Sequence, residues 1–337
     1  MGGTQIRAAA IQSDGTRLAR VARPTPSEDG PRAVVLACLS ALRAVRDDLP
    51  DEVRGALAGV GISSPGPVDP RAGVIVEPPN LGPDFHDVPI VAEVERDLGL
   101  TAYLDRDTNV AALGEQTFGA GRGCLDFLYV TVSTGVGGAV VSGGNLIHGP
   151  DGMAGEIGHV PVALAGPVCG CGGVAHLEAF ASGAALAREA RAAADSGASP
   201  YLAGRVAERG LEELDARDVA DGEDAGDAHC HELMETARHA FAVACVGLTN
   251  LFNPSRIVVG GSIAQAQGDR LLEPARREVA ANAFSRPAAR VRIVPATLGP
   301  DVSLAGALPL VSGRLGDLRR ASGTLHSPSQ PGLRARR

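Results

Sequence analysis

Four side chains within eighteen residues could together hold a metal ion: His159, Cys169, Cys171 and His176, set around the glycine-rich stretch CGCGGVAH. Thiolate and imidazole are good ligands for Zn²⁺, and four of them complete a tetrahedral shell. With no vacant position for water, such an ion would brace a loop rather than activate a nucleophile. The Cys169-Gly-Cys171 spacing is too tight for an ordinary structural disulfide. Cys38, Cys124, Cys230 and Cys245 lie in apolar contexts, as reduced core thiols do. The alternative for the cluster is two free thiols beside unconnected histidines.

A second chemistry is suggested by three glycine turns: Gly2-Gly3-Thr4, Ser133-Thr134-Gly135-Val136-Gly137-Gly138 and Gly260-Gly261-Ser262. Successive backbone N–H groups in such turns form concave anion sites, so two of them facing across a cleft can hold a polyphosphate. The chain contains no Lys, which excludes a Gly-Lys-Ser/Thr phosphate loop, so any nucleotide must be held by backbone amides. Between the first two turns stands Asp107, at a strand-to-helix junction from which a carboxylate can reach a cleft; capping that helix is its other use.

The elements that would position these groups alternate between strand and helix. Residues 5–12 and 18–22 flank Asp14-Gly15 as a β-hairpin, and apolar spacing predicts a helix over 33–47. A buried strand in LAGVGIS, the turn SPGPVDP, a helix over 90–98, a strand in TAYLD and a helix in TNVAALGEQTF follow. Beyond the glycine-rich joint GAGRG, the strands FLYVTV and AVVSGG, a helix over 230–252, the strand PSRIVVGG, a further helix, the strand VRIVPA and a helix over 303–313 complete an α/β pattern. We expect a smaller α/β unit over 1–118, a larger one over 119–316 whose last helix packs back on the first, and a disordered polar tail over 317–337.

Composition narrows the partners. Net charge is −8, the 31 basic residues are all Arg, and no broad basic face for nucleic acid is evident. Aromatic content is 3% with no Trp, which leaves no stacking platform for bases. No apolar run approaches a membrane span and no signal-peptide pattern is present, so a cytoplasmic protein is expected.

Taken in order, GGTQIRAAA, SPGPVD, PPNL, RDTNVAALGE, VSTGVGGAVVSGG, GMAGEIGH with CGCGGVAHLEAFASG, and NPSRIVVGGSIA resemble the ROK family over residues 2 to about 313. That family comprises sugar kinases and related repressors on the actin/hexokinase-like, ribonuclease H-like fold. The resemblance implies ATP-dependent phosphorylation of a hexose 6-hydroxyl, most plausibly of glucose, with fructokinase and N-acetylhexosamine or N-acetylmannosamine kinase as alternatives. A sugar-binding protein without turnover and a sugar-responsive regulator are the other classes. Asp107 would be the general base, and Asn80, Arg106, Glu156, His159 and Glu178 would line the sugar, whose vicinal hydroxyls suit carboxylates and imidazole. Gly2, Gly3, Thr4, Ser133, Thr134, Gly135, Gly137, Gly138, Gly260, Gly261 and Ser262 would hold Mg-ATP.

The resemblance also implies a homodimer and a structural zinc in the Cys/His loop. Two departures stand out in that loop and beside the base. His176 replaces a third Cys, which leaves a competent Cys₂His₂ set. Arg106 stands where the family has Asn against the sugar, which leaves the identity of the sugar open. At the N-terminus the family has a central strand ending in a Mg²⁺-site Asp directly before the glycine pair. With the first strand missing, the sheet would lose ladder bonds and expose two edges. The expectation is that Met1 is an internal residue of a longer product, or that the chain is a truncated form.

Overall fold

The structure, a computed structural model, describes residues 1–78, 81–82 and 84–323. Its strands are β1 (Gln5–Ile11), β2 (Arg17–Pro24), β3 (Val60–Ser64), β4 (Val68–Asp69), β5 (Val74–Ile75), β6 (Ala102–Arg106), β7 (Phe127–Val132), β8 (Val136–Ser142), β9 (Asn145–Leu146), β10 (Arg256–Gly260) and β11 (Arg292–Pro295). Five of them form one sheet in the order β11-β10-β7-β8-β9, with β7, β10 and β11 parallel and β8 and β9 antiparallel additions.

β7 shows why this sheet is sandwiched. Alternate side chains of a strand point to opposite faces, and FLYVTV is apolar at both sets of positions. Leu128, Val130 and Val132 join Phe241, Cys245 and Leu248 of the helix Ala228–Phe252. Phe127 and Tyr129 join Ala111 and Ala112 of the helix Asp107–Phe118 on the other face. Between residues 177 and 224 the chain forms the helices Leu177–Ala181, Gly183–Ser196, Pro200–Arg209 and Ala216–Asp224, which the sequence reading did not anticipate. Ser182, Ser199 and Asp215 cap three of them.

In the N-terminal third, β1 pairs antiparallel with β2, and β3 pairs parallel with β6. These are two separate two-stranded ladders. Ile6, Ala8 and Ala10 face Val34, Val35, Cys38 and Leu39 of the helix Pro31–Asp47.

The last helix, Val302–Gly323, runs past its expected end at 313 and seven residues into the segment expected to be disordered from 317. It packs on the helix Asp107–Phe118 and on β3. Fully buried Glu115 clasps that arrangement, accepting hydrogen bonds from the backbone N–H groups of Ala120 (2.6 Å), Thr297 (2.9 Å) and Leu298 (2.9 Å) and from the Thr297 hydroxyl (3.3 Å). Truncation would leave those donors buried without acceptors. Glu115→Ala is therefore expected to cost about 3 kcal/mol, read as a lower urea midpoint at unchanged slope.

Among the described residues no helix is long and apolar enough to cross a membrane. Cys38, Cys124, Cys230 and Cys245 are buried and free, as expected of core thiols, and burial pushes the Cys38 thiol up to about 11.

Candidate functional site

β6 ends at Arg106 and a helix starts at Asp107, so the extended backbone hands its last side chains to the mouth of a cleft. One Asp107 oxygen accepts the Thr108 N–H at 2.8 Å, so the carboxylate partly caps its own helix. Asp107 shares a cavity of about 360 Å³ with Met1, Gly2, Gly3, Thr4 and Ser63. Water reaches the carboxylate, yet it stands deep among protein atoms. That enclosure holds its pKa above the usual 3.8, against the pull of the Thr108 N–H, the Met1 amine and Arg106.

A base works only when ionised. If Asp107 is the base, the acid limb of kcat/KM should fall above pH 3.8, at the raised pKa, as pH drops through it. A pH–rate profile with saturating nucleotide checks this.

Arg106 turns away from solvent, 3% exposed, and binds the Glu156 carboxylate and the Ala154 carbonyl, while its Nε has no partner. Two residues expected at the sugar are thus brought together as an ion pair. Below them, Asp105 is fully buried and accepts from the Asn109 amide at 2.7 Å and from His148 Nε2 at 2.7 Å. Neither Asp105 nor His148 was singled out in the sequence. The available signal was period 2 on β6, which puts Asp105 on the same face as Asp107. Asn80 lies outside the described residues.

The second and third glycine turns meet: Ser133 Oγ and Ser262 Oγ are 2.9 Å apart. Gly261, at φ 96° and with Val132 O where a Cβ would sit, can only be glycine. The second turn is pinned from behind by Gly183 N–H on Ser133 O and Ala184 N–H on Thr134 O. β8 also runs so close to Thr108 that a Cβ at Gly137 would stand 2.8 Å from its methyl, which joins this turn to the Asp107 helix. The first turn therefore reaches Asp107 through the cavity, the second reaches its neighbour Thr108, and the third is tied to the second through Ser262.

His159, Cys169, Cys171 and His176 converge, with one ligand atom from each lying within 4.8 Å of the others. Cys169 Sγ is 3.6 Å from His159 Nδ1, and Cys171 Sγ is 3.2 Å from His176 Nδ1. Two sulfurs and two ring nitrogens at this separation fit a tetrahedral Zn²⁺. Glu178 follows directly in the helix Leu177–Ala181. One of its oxygens accepts the Val136 N–H at 2.9 Å and the other lies 3.7 Å from Cys169 Sγ. This carboxylate, expected against the sugar, links the Cys/His loop to the second glycine turn.

The α/β architecture, with the second and third glycine turns meeting and the first sharing a cavity with Asp107, is that of the actin-like two-domain fold. The chain belongs to the ROK family, whose model matches residues 1–314. It is similar to a glucokinase of Halalkalibacterium halodurans, at 34% identity over 91% of each chain. It is also similar to an N-acetylmannosamine kinase of Shigella boydii, at 34% identity over 80% of this chain and 83% of the other. Among solved structures it resembles a ROK glucokinase from Streptomyces griseus in complex with glucose and AMPPNP. That match has a TM-score of 0.75 and 29% identity, and covers 93% of this chain and 97% of the other.

Proposed function

We propose that this protein is an ATP-dependent hexose kinase that phosphorylates the 6-hydroxyl, with glucose as the first substrate to test. The observation that carries this reading is the placement of Asp107. Its pKa is raised, it shares a cavity with the first glycine turn, and its helix is joined through Thr108 to the second.

In this reading Asp107 takes the proton of the sugar hydroxyl as that oxygen bonds to the γ-phosphorus. The bond from phosphorus to the β,γ-bridging oxygen breaks, and ADP leaves. Backbone amides of the turns at 2–4, 133–138 and 260–262 hold the phosphates, which accounts for a site without lysine. Mg²⁺ bound with the nucleotide would offset phosphate charge; the turn at 2–4 carries no carboxylate, so no protein ligand is assigned to it.

Zn²⁺ held by His159, Cys169, Cys171 and His176 would be structural, supplying rigidity to the loop that carries Glu156 and Glu178. His159 can ligate through one ring nitrogen and face the sugar with the other. The reading also takes residues 1–118 and 119–316 as two units closing over the cleft, in a cytoplasmic homodimer, with Asn80 adding a sugar contact.

A second candidate substrate is an N-acylated hexose such as N-acetylmannosamine, because Arg106, where the family has a sugar-contacting Asn, is held by Glu156 and Ala154, and an N-acetylmannosamine kinase is similar to this chain at 34% identity. A coupled ADP-release assay across glucose, fructose, mannose, N-acetylglucosamine and N-acetylmannosamine tests the proposal. Turnover with one sugar supports it, and no ADP release with any overturns it.

A further inference from the structure

Asp105 has no part in the proposed chemistry, yet it lies fully buried two residues before Asp107, at the end of β6. A carboxylate so placed persists only where donors surround it. One oxygen accepts the Arg106 N–H at 2.8 Å and the Asn109 amide at 2.7 Å, and the other meets His148 Nε2 at 2.7 Å. A carboxylate can only accept, so Nε2 carries the proton. Asn109 is fully buried as well, and its side-chain oxygen has no partner among the described residues, so Asp105 sets the orientation of that amide.

Asn109 stands in the first turn of the helix that Asp107 begins, so the bond from Asn109 to Asp105 brackets Asp107 between strand end and helix turn. His148 ties this bracket to a distant segment, the loop that leads from β9 to Glu156. His148 O accepts the Ala154 N–H at 2.9 Å, which closes the loop on itself. The Ala154 carbonyl and the Glu156 carboxylate in turn accept from Arg106. Two consecutive residues of β6 therefore grip one loop, Asp105 through His148 and Arg106 through Ala154 and Glu156. Asp107 is the next residue along. Without His148 one Asp105 oxygen would be buried and unpaired, and a rotation that relieved it would release Asn109.

Resting on the reading of Asp107 as the general base, we propose that His148 is a positioning residue for it. The His148 ring N–H locks Asp105, Asp105 locks Asn109, and together they hold Asp107 in fixed relation to the sugar-side carboxylate Glu156. Neither His148 nor Asp105 touches the reacting atoms. Their effect is on geometry, where a misplacement of about 1 Å costs on the order of 10²-fold in rate. The Arg106–Glu156 pair survives loss of His148, so kcat should fall more than sugar KM rises. The turns at 133–138 and 260–262 are tied to each other through Ser133 and Ser262, so nucleotide binding should be spared.

The test compares His148→Gln, His148→Asn and His148→Leu with the parent, by sugar kinetics and by calorimetric titration of AMPPNP. Gln sets an amide N–H near the position of Nε2 and is expected to keep kcat within about threefold of the parent. Asn has the same chemistry on a side chain one carbon shorter, and both it and Leu are expected to lower kcat about 10²-fold. In those two variants sugar KM should move by less than about threefold and AMPPNP Kd by less than about twofold, a split that general loss of structure would not produce. In an Asp105→Asn background the further loss from His148→Asn should shrink to about threefold, because members of one unit are not additive. Equal kcat in the Gln and Asn variants, or a full further loss in the Asp105→Asn background, overturns the proposal. If the Leu variant fails to fold, the comparison of Gln with Asn still decides it. A parent that turns over no sugar overturns the kinase reading and this proposal with it. An active parent with an undiminished Asn variant overturns this proposal alone.

Discussion

Asp107→Asn is expected to lower kcat by about 10³-fold, since a positioned general base contributes roughly 10² to 10⁴. Asn keeps the shape, and its side-chain oxygen can still accept the Thr108 N–H, so the start of the helix should survive. Sugar KM should move far less, because the proton leaves only in the transition state. Stability supplies an independent check. The folded-state pKa of Asp107 lies above its ordinary value, so ionisation opposes folding as pH rises through 3.8 to the raised pKa and beyond. At neutral pH the Asn variant should therefore melt slightly higher than its parent, and the gap should close in acid, where both side chains are neutral. Undiminished turnover in the Asn variant would remove Asp107 from the chemistry.

Removing metal from the loop at 159–176 should damage binding and stability together. Chelation, or Cys169→Ser, is expected to raise sugar KM about 10- to 100-fold, the usual cost of disturbing the shell around a metal site. Tm should fall in the same samples, because bound metal stabilises only the folded loop. Glu178 explains why the sugar site would feel this. It follows the ligand His176, touches Cys169 and holds the Val136 N–H, so slack in the loop passes to the second glycine turn. Elemental analysis should give one zinc per chain, and the exposed Cys171 thiol should react with a thiol reagent only after chelation. A metal-free preparation with unchanged KM and Tm would show that the four side chains are neighbours without an ion.

Much of the fold was legible because its signals are local. Asp14-Gly15 announced the first hairpin, the apolar run FLYVTV a doubly buried strand, and the periodic stretch at 90–98 a helix with those bounds. The alanine-rich region over 177–224 was not legible. Alanine is buried or exposed with little preference, so helices such as Gly183–Ser196 show weak apolar contrast along the chain. The end of the last helix was missed for a related reason: Gly313, Arg314 and Gly316 read locally as a terminus.

By itself, the sequence determined the residue types that carry chemistry and the turns that present them: Asp107 after a strand, glycines after β7 and β10, and two Cys and two His within one loop. Spacing of a few residues settles such features, since backbone conformation and side-chain direction follow from neighbours. Only the tertiary structure decided that Arg106 pairs with Glu156, that Glu115 binds Thr297 and Leu298, and that Glu178 serves the second turn. Those partners lie from 42 to 183 positions apart, and no local rule links them. They meet because packing of helices on sheets brings distant segments together, and a buried charge or donor then takes the partner within reach.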